Sequence, residues 1–400
     1  MAISPLLVIF VSVILRRCHG YANRSETESL YTELLSNGSS YYKNIRPGLD
    51  HGNATTVTVN MHVTSINELE EMTGRFTVVA FLDINWVDER LSWTATSYMR
   101  NIAEIELPQS DVWKPSLTLS NPFLRLKALG SDDNLVRYKH SGNATWSVGD
   151  VMQAICDVDV TYYPFDKQVC PLYFRIWGYE GSDIKLTPST NGVGFSYYVE
   201  NSEWDVMKTE NEVVVSDTPY IVYKFHLERK STFFIISIYI PVVLLTGLCP
   251  LVFLLPADSG ERVSFSITCL LAIAVFLTIV SENLPRSSSP ISVLSFFLMC
   301  DFVLSTCLCV LTILGLQLYH KDGKDNEIPV LLKKIAAIKC NGRTQRNAAS
   351  VKTQTTEEQT GEEEVTWRTI ARMFDIFCFV LSIGACVALL VIYLMYTNIV

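Results

Sequence analysis

Four apolar runs dominate the second half of the chain: Thr232 to Leu255, Val263 to Leu284, Pro290 to Leu318 and Met373 to Tyr396. Each reaches roughly twenty residues or more, enough to cross about 30 Å of hydrocarbon at about 1.5 Å per residue. Polar linkers separate them, as expected of successive membrane-spanning helices and not of the buried helices of a large soluble core. Half of the architecture is thereby set as a four-helix membrane domain.

The flanking segments orient that domain. His320 to Arg372 carries Lys321, Lys324, Lys333, Lys334, Lys339, Arg343, Arg346 and Lys352. The positive-inside rule assigns this segment to the cytoplasm. Asn-x-Ser/Thr sequons at Asn23, Asn37, Asn53 and Asn143 all precede the first apolar run. They are expected glycosylation sites on a lumenal or extracellular N-terminal half. Four crossings then return the C-terminus to the outside. Leu6 to Leu15 is a short apolar core with small residues following near Gly20, which reads as a secretory signal. The expected divisions are 1–20 signal, 21–229 extracellular domain, 230–319 first three spans, 320–366 cytoplasmic segment and 367–400 fourth span with its extracellular end. IPVLLKKIAAIK within the cytoplasmic segment is amphipathic, either lying along the inner membrane surface or forming an ordinary short linker helix. The fourth helix is expected to begin before Trp367.

The extracellular portion has the period of strands. Tyr21 to Tyr42 reads first as a helix, with Leu30, Leu34 and Leu35 on one face. From Thr56 the pattern changes. VTVNMHVTSI and RFTVVAFLDINW alternate apolar and polar residues, and VRYKH, YFRIWGY, EVVVSD and YIVYKFHLER continue the theme. Short strands with turn residues between them, over some two hundred residues, predict a β-sandwich.

Cysteine use agrees with that division. The chain has 11 cysteines. Cys18 is expected to leave with the signal, so only Cys156 and Cys170 remain before the first span. Two cysteines alone in a secreted segment most simply pair with each other. The rest fall in the apolar spans or between them, where thiols serve as small hydrophobes. A net charge of −9 offers no basic stripe for phosphates and excludes a nucleic-acid partner. The six histidines show no metal-ligand spacing and no nucleophile motif is present, so neither an enzyme nor a cofactor is expected.

The second span differs from a lipid-facing helix. Glu261, Ser264, Thr268, Leu271, Val275, Thr278 and Glu282 recur in steps of three and four, which holds them on one helical face. The stripe begins and ends on acids, carries hydroxyls, and has a bulky apolar belt at Leu271 and Val275. At membrane depth a polar stripe needs water or polar neighbours. Repeated around an axis it becomes a set of rings lining a pore, with acids favouring cations and the apolar ring able to close by dewetting. The alternative is an interhelical face whose hydroxyls bond neighbouring helices. Asp301, inside the third span, is a further intramembrane acid and a functional candidate.

Several motifs together resemble the Cys-loop pentameric ligand-gated ion channels, and among them the nicotinic acetylcholine receptors. Cys156 and Cys170 enclose thirteen residues with Tyr163-Pro164-Phe165-Asp166 inside, similar to the family loop. WVDERLSW, VWKPSL and LLPADSGER resemble nicotinic strands and the nicotinic entry to the pore helix. The resemblance covers nearly the whole mature chain. It implies a pentamer, an extracellular β-sandwich with small-ligand sites between subunits, and a pore lined by the second span. It implies a plasma-membrane protein, in a postsynaptic setting in many relatives, in contact with lipid and passing cations. The tip of the disulfide loop, Phe165 and Asp166, would transmit motion to the membrane domain. Arg229 matches the family arginine at the junction, with Glu70 or Glu71 as expected partners. The loop Asn283 to Pro290 would receive the Cys-loop tip.

The resemblance extends unevenly to the ligand site, an aromatic cage that holds a quaternary ammonium by ring faces. Trp177 matches the central tryptophan and Tyr220 the later tyrosine of the capping loop. Phe81 stands where the neighbouring subunit contributes a tryptophan, and Trp146 is expected to add to that complementary face. The first cage tyrosine falls on Ser120. The capping segment Glu212 to Tyr220 lacks both the vicinal cysteines and the tyrosine before them. The expected ligand is therefore acetylcholine, bound weakly or with another subunit as principal partner, or a different cationic or amphipathic molecule. Gly260-Glu261-Arg262 keeps the cation-selective pattern, with Glu261 in an inner ring and Glu282 in an outer one. The leading expectation is a ligand-gated cation channel, homomeric or heteromeric. The alternative is an accessory, non-conducting subunit that needs partner chains. The departures and the short cytoplasmic segment fit an invertebrate subunit better than a vertebrate one.

Overall fold

The computed structural model describes residues 24–35, 41–94, 102–131, 133–282, 284, 291–321 and 366–397. The signal, the sequons at Asn23 and Asn37, nearly all of the Asn283 to Pro290 loop and the cytoplasmic segment from residue 322 to 365 lie outside these residues. The chain divides into two units: residues 1–158 with 167–228, and residues 159–166 with 229–400.

The first unit is a β-sandwich preceded by helix α1 (Arg24–Leu35), shorter at its described C-terminal end than Tyr42, with Leu30 and Leu34 buried. The strands are β1 (Thr55–Glu70), β2 (Arg75–Val87), β3 (Glu104–Pro108), β4 (Leu117–Leu119), β5 (Leu135–Lys139), β6 (Asn143–Ile155), β7 (Lys167–Ile176), β8 (Ile184–Gly194), β9 (Trp204–Val214) and β10 (Tyr220–Arg229). One sheet runs β3-β5-β6-β2-β1-β8 and the other β4-β7-β10-β9. β1 pairs antiparallel with β2 and parallel with β8.

Alternation in the sequence becomes alternation in burial, because successive strand side chains point to opposite sheet faces. On β2, Phe76, Val78, Ala80, Leu82, Ile84 and Trp86 are all buried. On β7, Leu172, Phe174 and Ile176 are buried while Tyr173, Arg175 and Trp177 point the other way. These inner faces of the two sheets form one apolar core.

WVDERLSW is part of that core's frame. Asp88 is fully buried, and Arg90 grips it with Nε to Oδ1 and Nη2 to Oδ2, both at 2.8 Å. The Tyr41 hydroxyl donates to Asp88 Oδ2 at 3.3 Å and accepts the Trp113 backbone N–H at 2.7 Å. Burial, reinforced by the Asp88 charge, pushes the Tyr41 phenol above its ordinary range. The motif therefore satisfies a buried carboxylate from three directions, as a buried charge requires.

Cys156 and Cys170 form the expected disulfide, 14 residues apart in sequence. A closed loop of this size stabilises by about 3 kcal/mol in the chain-entropy model.

Among the described residues the second unit holds four helices long and apolar enough to cross a membrane: α2 (Thr232–Leu254), α3 (Arg262–Glu282), α4 (Val293–Tyr319) and α5 (Trp367–Thr397). α5 starts at Trp367 and not before it; Thr366 is already outside the helix. α2 is irregular, with a π-turn over Ile235–Tyr239 before Pro241 and a 3₁₀ stretch over Cys249–Leu254 carrying Pro250. Proline lacks the N–H that continues an α-helical ladder, and the ladder shifts register around it. Tyr393 of α5 stacks on Tyr239 of α2 and packs against Phe297 of α4, with ring centroids 5.2 and 4.8 Å apart.

Candidate functional sites: a pore helix and an aromatic face

All seven residues of the polar stripe are exposed in the single chain. Leu271 is 63% exposed and Val275 49%. The residues that α3 buries are Arg262, Ser266, Cys269, Ile273 and Val280, on the other side of the helix. The stripe hydroxyls bond their own helix: Thr268 donates to the Ser264 carbonyl at 2.8 Å and Thr278 to the Val275 carbonyl at 2.7 Å. The stripe is thus turned away from the other helices of its own chain, and its hydroxyls do not serve as glue between them.

The start of α3 is held firmly. Gly260 has φ of 72°, a left-handed conformation that glycine adopts without strain, and it ends the turn from Pro256. Glu261 follows, its carbonyl accepting the Phe265 N–H at 2.9 Å. Arg262 turns inward, donating from Nε to the Leu255 carbonyl at 2.7 Å. Its other nitrogens clasp Asp375 of α5 at 3.1 and 3.0 Å. Adjacent residues on a helix cannot share a face, so anchoring Arg262 inward leaves Glu261 exposed at the mouth of the stripe.

Asp301 is 1% exposed and its Oδ2 is hydrogen-bonded by the Thr246 hydroxyl of α2 at 3.0 Å. Oδ1 has no hydrogen-bond partner among the described residues. Its place is between α2 and α4, away from the stripe.

The disulfide-loop tip, residues 159–166, groups with the helices. The Val293 N–H, in the first turn of α4, donates to the Thr161 carbonyl at 2.8 Å and so relieves one of the orphan donors of a helix start. Asp166 and Arg229 form a bidentate pair at 2.7 and 3.1 Å, each side chain 1% exposed. The guanidinium also lies 4.9 Å from the Tyr163 ring centroid and 5.4 Å from that of Phe234. Sequence reasoning paired Arg229 with Glu70 or Glu71; Asp166 is a partner that it did not name for this arginine. Glu70 accepts from the Thr73 hydroxyl at 2.8 Å and pairs with Arg75 at 2.9 Å.

In the sandwich, Trp177 is 59% exposed just beyond β7, where its N–H donates to the Ser116 carbonyl at 3.0 Å. Tyr220 lies directly across from Arg175 in the β7–β10 ladder. Two residues missed by sequence reasoning share that face. Tyr173 packs edge-on to Tyr220, centroids 5.8 Å apart, and the Arg175 guanidinium stands 5.7 Å from the Tyr220 ring centroid. Period-two alternation in YFRIWGY carried the signal, since Tyr173, Arg175 and Trp177 must share a face. Ser120 donates its N–H to the Tyr173 carbonyl at 2.7 Å. The turn between β9 and β10 is tied down by Gly181, whose backbone N–H donates to the Asp217 carbonyl at 2.9 Å.

Phe81 occupies a second aromatic patch. Its ring stacks on His62 at 4.8 Å and tilts against Tyr197 at 5.9 Å. His62 in turn lies 3.5 Å from Asp83. Gly194 of β8 sits beside the imidazole, and a Cβ there would collide with the ring. Trp146 does not join this patch. It pairs with Ile84 in the β2–β6 ladder and is 1% exposed, so the period-two geometry places it on the opposite face from Phe81. Its face is covered by the Lys114 ammonium, 4.9 Å from the ring centroid. The sequons Asn53 and Asn143 are both exposed.

Comparison with known proteins matches the profile of the neurotransmitter-gated ion-channel ligand binding domain to residues 27–231. The profile of the neurotransmitter-gated ion-channel transmembrane region matches residues 238–372. The chain belongs to the neurotransmitter-gated ion-channel family. It is a multi-pass plasma-membrane protein with an extracellular N-terminal domain, and not an enzyme. This neurotransmitter-gated channel chain is 32% identical to Ligand-gated ion channel 4 of Caenorhabditis elegans over 323 residues, covering 77% of this chain and 50% of that protein. It is 31% identical to Neuronal acetylcholine receptor subunit alpha-9-II of Oncorhynchus mykiss over 330 residues, 81% of this chain and 59% of that one. Acetylcholine receptor subunit alpha of Danio rerio is 29% identical over 336 residues, 82% and 73% of the two chains. The match spans half the length of the nematode relative. Likeness to a nematode protein is compatible with an invertebrate subunit.

Proposed function

We propose that this chain is a subunit of a cation-selective pentameric channel opened by a small extracellular ligand. The observation that carries the reading is the outward turn of the whole stripe from Glu261 to Glu282 on α3. A face that is polar, acid-ended and unused within its own four-helix unit needs water or further copies of itself. Five copies around an axis would supply both. Glu261 and Glu282 would form cation-attracting rings at the two mouths, and Leu271 with Val275 the apolar constriction that opens and closes.

Ligand would bind between subunits, with Trp177 and Tyr220 on the principal side and the Phe81 patch on the complementary side. The cage is incomplete, since Ser120 replaces a ring. Motion would reach the helices through the loop from Cys156 to Cys170, with Phe165, Asp166 and Arg229 at its tip. Glu70 and Glu71 would stand at the sandwich end of the same path. Domain limits near residues 229, 319 and 366, and glycans at Asn53 and Asn143, belong to the same reading. Ser120 also favours a second reading, an accessory subunit that lends its pore stripe to partner chains with a complete cage.

Cysteine accessibility separates a pore face from a packed one. In a Leu271→Thr background, a cationic methanethiosulfonate reagent should change the current at Ser264→Cys, Thr268→Cys, Val275→Cys and Thr278→Cys. It should leave Ile273→Cys and Val280→Cys at the level of the unsubstituted chain. The reverse pattern would reject α3 as the pore lining in this orientation.

A further inference from the structure

Arg175 is a fixed cation in the middle of the aromatic face. It is flanked in register by Thr118 of β4 and Tyr220 of β10; Tyr173 of β7 stands two residues before it and Trp177, just beyond the strand, two residues after. Side chains at these positions share the outer face of the four-stranded sheet. The guanidinium lies against the Tyr220 ring, 5.7 Å from its centroid. It forms no ion pair with a carboxylate among the described residues, and its Nε is shut off from solvent without a hydrogen-bond partner there. By contrast Lys224, on the same face of β10 as Tyr220, is paired with Glu212 at 3.1 Å.

This arrangement changes what the face can hold. A quaternary ammonium is recognised by aromatic ring faces. Here one of those ring faces is already taken by a protein cation. A second cation bound against Tyr220 would meet a like charge at short range, in a partly desolvated setting where repulsion is weakly screened. A carboxylate would instead meet an unneutralised guanidinium whose fork of donors fits two oxygens. Tyr173, Tyr220 and Trp177 would then cover the ligand's apolar or amine-bearing part.

We infer that the ligand of this face carries a carboxylate, held by Arg175, and is not a simple quaternary ammonium. The inference rests on the proposed ligand site around Trp177 and deepens it. A zwitterion satisfies the whole face: carboxylate on Arg175, ammonium towards the exposed Trp177 ring.

Binding to the detergent-purified full-length chain tests this with matched probes, read as thermal stabilisation against ligand concentration. Betaine is compared with choline, and γ-aminobutyrate with its methyl ester. In each pair the ammonium is retained and only the carboxylate is lost. The expected result is at least tenfold tighter binding of a carboxylate probe than of its partner in the unaltered chain. Arg175→Gln should abolish that preference and Arg175→Lys should keep part of it, with both variants melting as a single transition. Trp177→Ala should weaken both members of a pair. Equal or tighter binding of the partner lacking a carboxylate, no carboxylate-dependent stabilisation by either acid, or a preference that survives in Arg175→Gln would overturn the inference. Carboxylate binding indifferent to Trp177→Ala but lost in Arg175→Gln would keep Arg175 as an anion site and reject the aromatic-site reading instead.

Discussion

Two buried ion pairs carry much of the chain's specificity at the level of single residues. Asp166 with Arg229, and Asp88 with Arg90, each place a carboxylate where water cannot reach it. A buried pair contributes little net stability over an apolar substitute, yet removing one partner strands the other and costs about 3–5 kcal/mol. Asp166→Ala should therefore lower the melting temperature of the purified protein markedly. Asp166→Ala combined with Arg229→Met should be less damaging than the sum of the two single variants, because the shared ion pair is lost only once. Additive damage in the double variant would show that Arg229 is stabilised by other groups. The pairing itself was not legible beforehand. Arg229 and Asp166 are separated by 63 residues, and nothing local in the sequence points to Asp166 as a counterion. Arg175 was hidden differently: it lay in plain view within FRIWGY, but its importance depends on Tyr220 coming beside it from another strand.

Elements were legible where a strong period ran long enough. Most of β2, the first part of β1 as far as Val63, and β10 from Tyr223 onward alternate, and the four spans announce themselves by length. β8 gave no such sign. IKLTPSTNGVG contains a proline and two glycines, which disfavour strands, and it forms by parallel pairing to β1, a long-range choice no local pattern records. The turn-like ends of α2 follow from Pro241 and Pro250, but their exact register shifts do not. For α3 the stripe was readable from spacing alone, whereas its anchoring by α5 was not. Arg262 is held by Asp375, 113 residues later. This contact ties the start of α3 to α5. Asp375→Asn keeps the side-chain shape but removes the charge. It should destabilise the helices by about 1–3 kcal/mol, the cost of weakening a charged hydrogen bond in a buried site. It should also let Glu261 rotate, lowering sodium selectivity measured from reversal potentials. Unchanged selectivity at equal surface expression would mean that the start of α3 is positioned without α5.

For the whole molecule, one unit offers an aromatic face crossed by an arginine, and the other offers an unused polar helix face ended by acids. In the proposed channel they would serve as ligand site and pore. That proposal requires that copies of this chain alone enclose a cation path closed by the Leu271 ring. A polar residue at that ring should hold water and leave the path open without any ligand. The direct measurement is the resting current of oocytes expressing Leu271→Thr alone, with surface delivery confirmed, while sodium and then chloride are replaced by impermeant ions. The expected result is a standing current whose reversal potential follows sodium and ignores chloride. A reversal potential that tracks chloride, or no current from chains present at the surface, would contradict it.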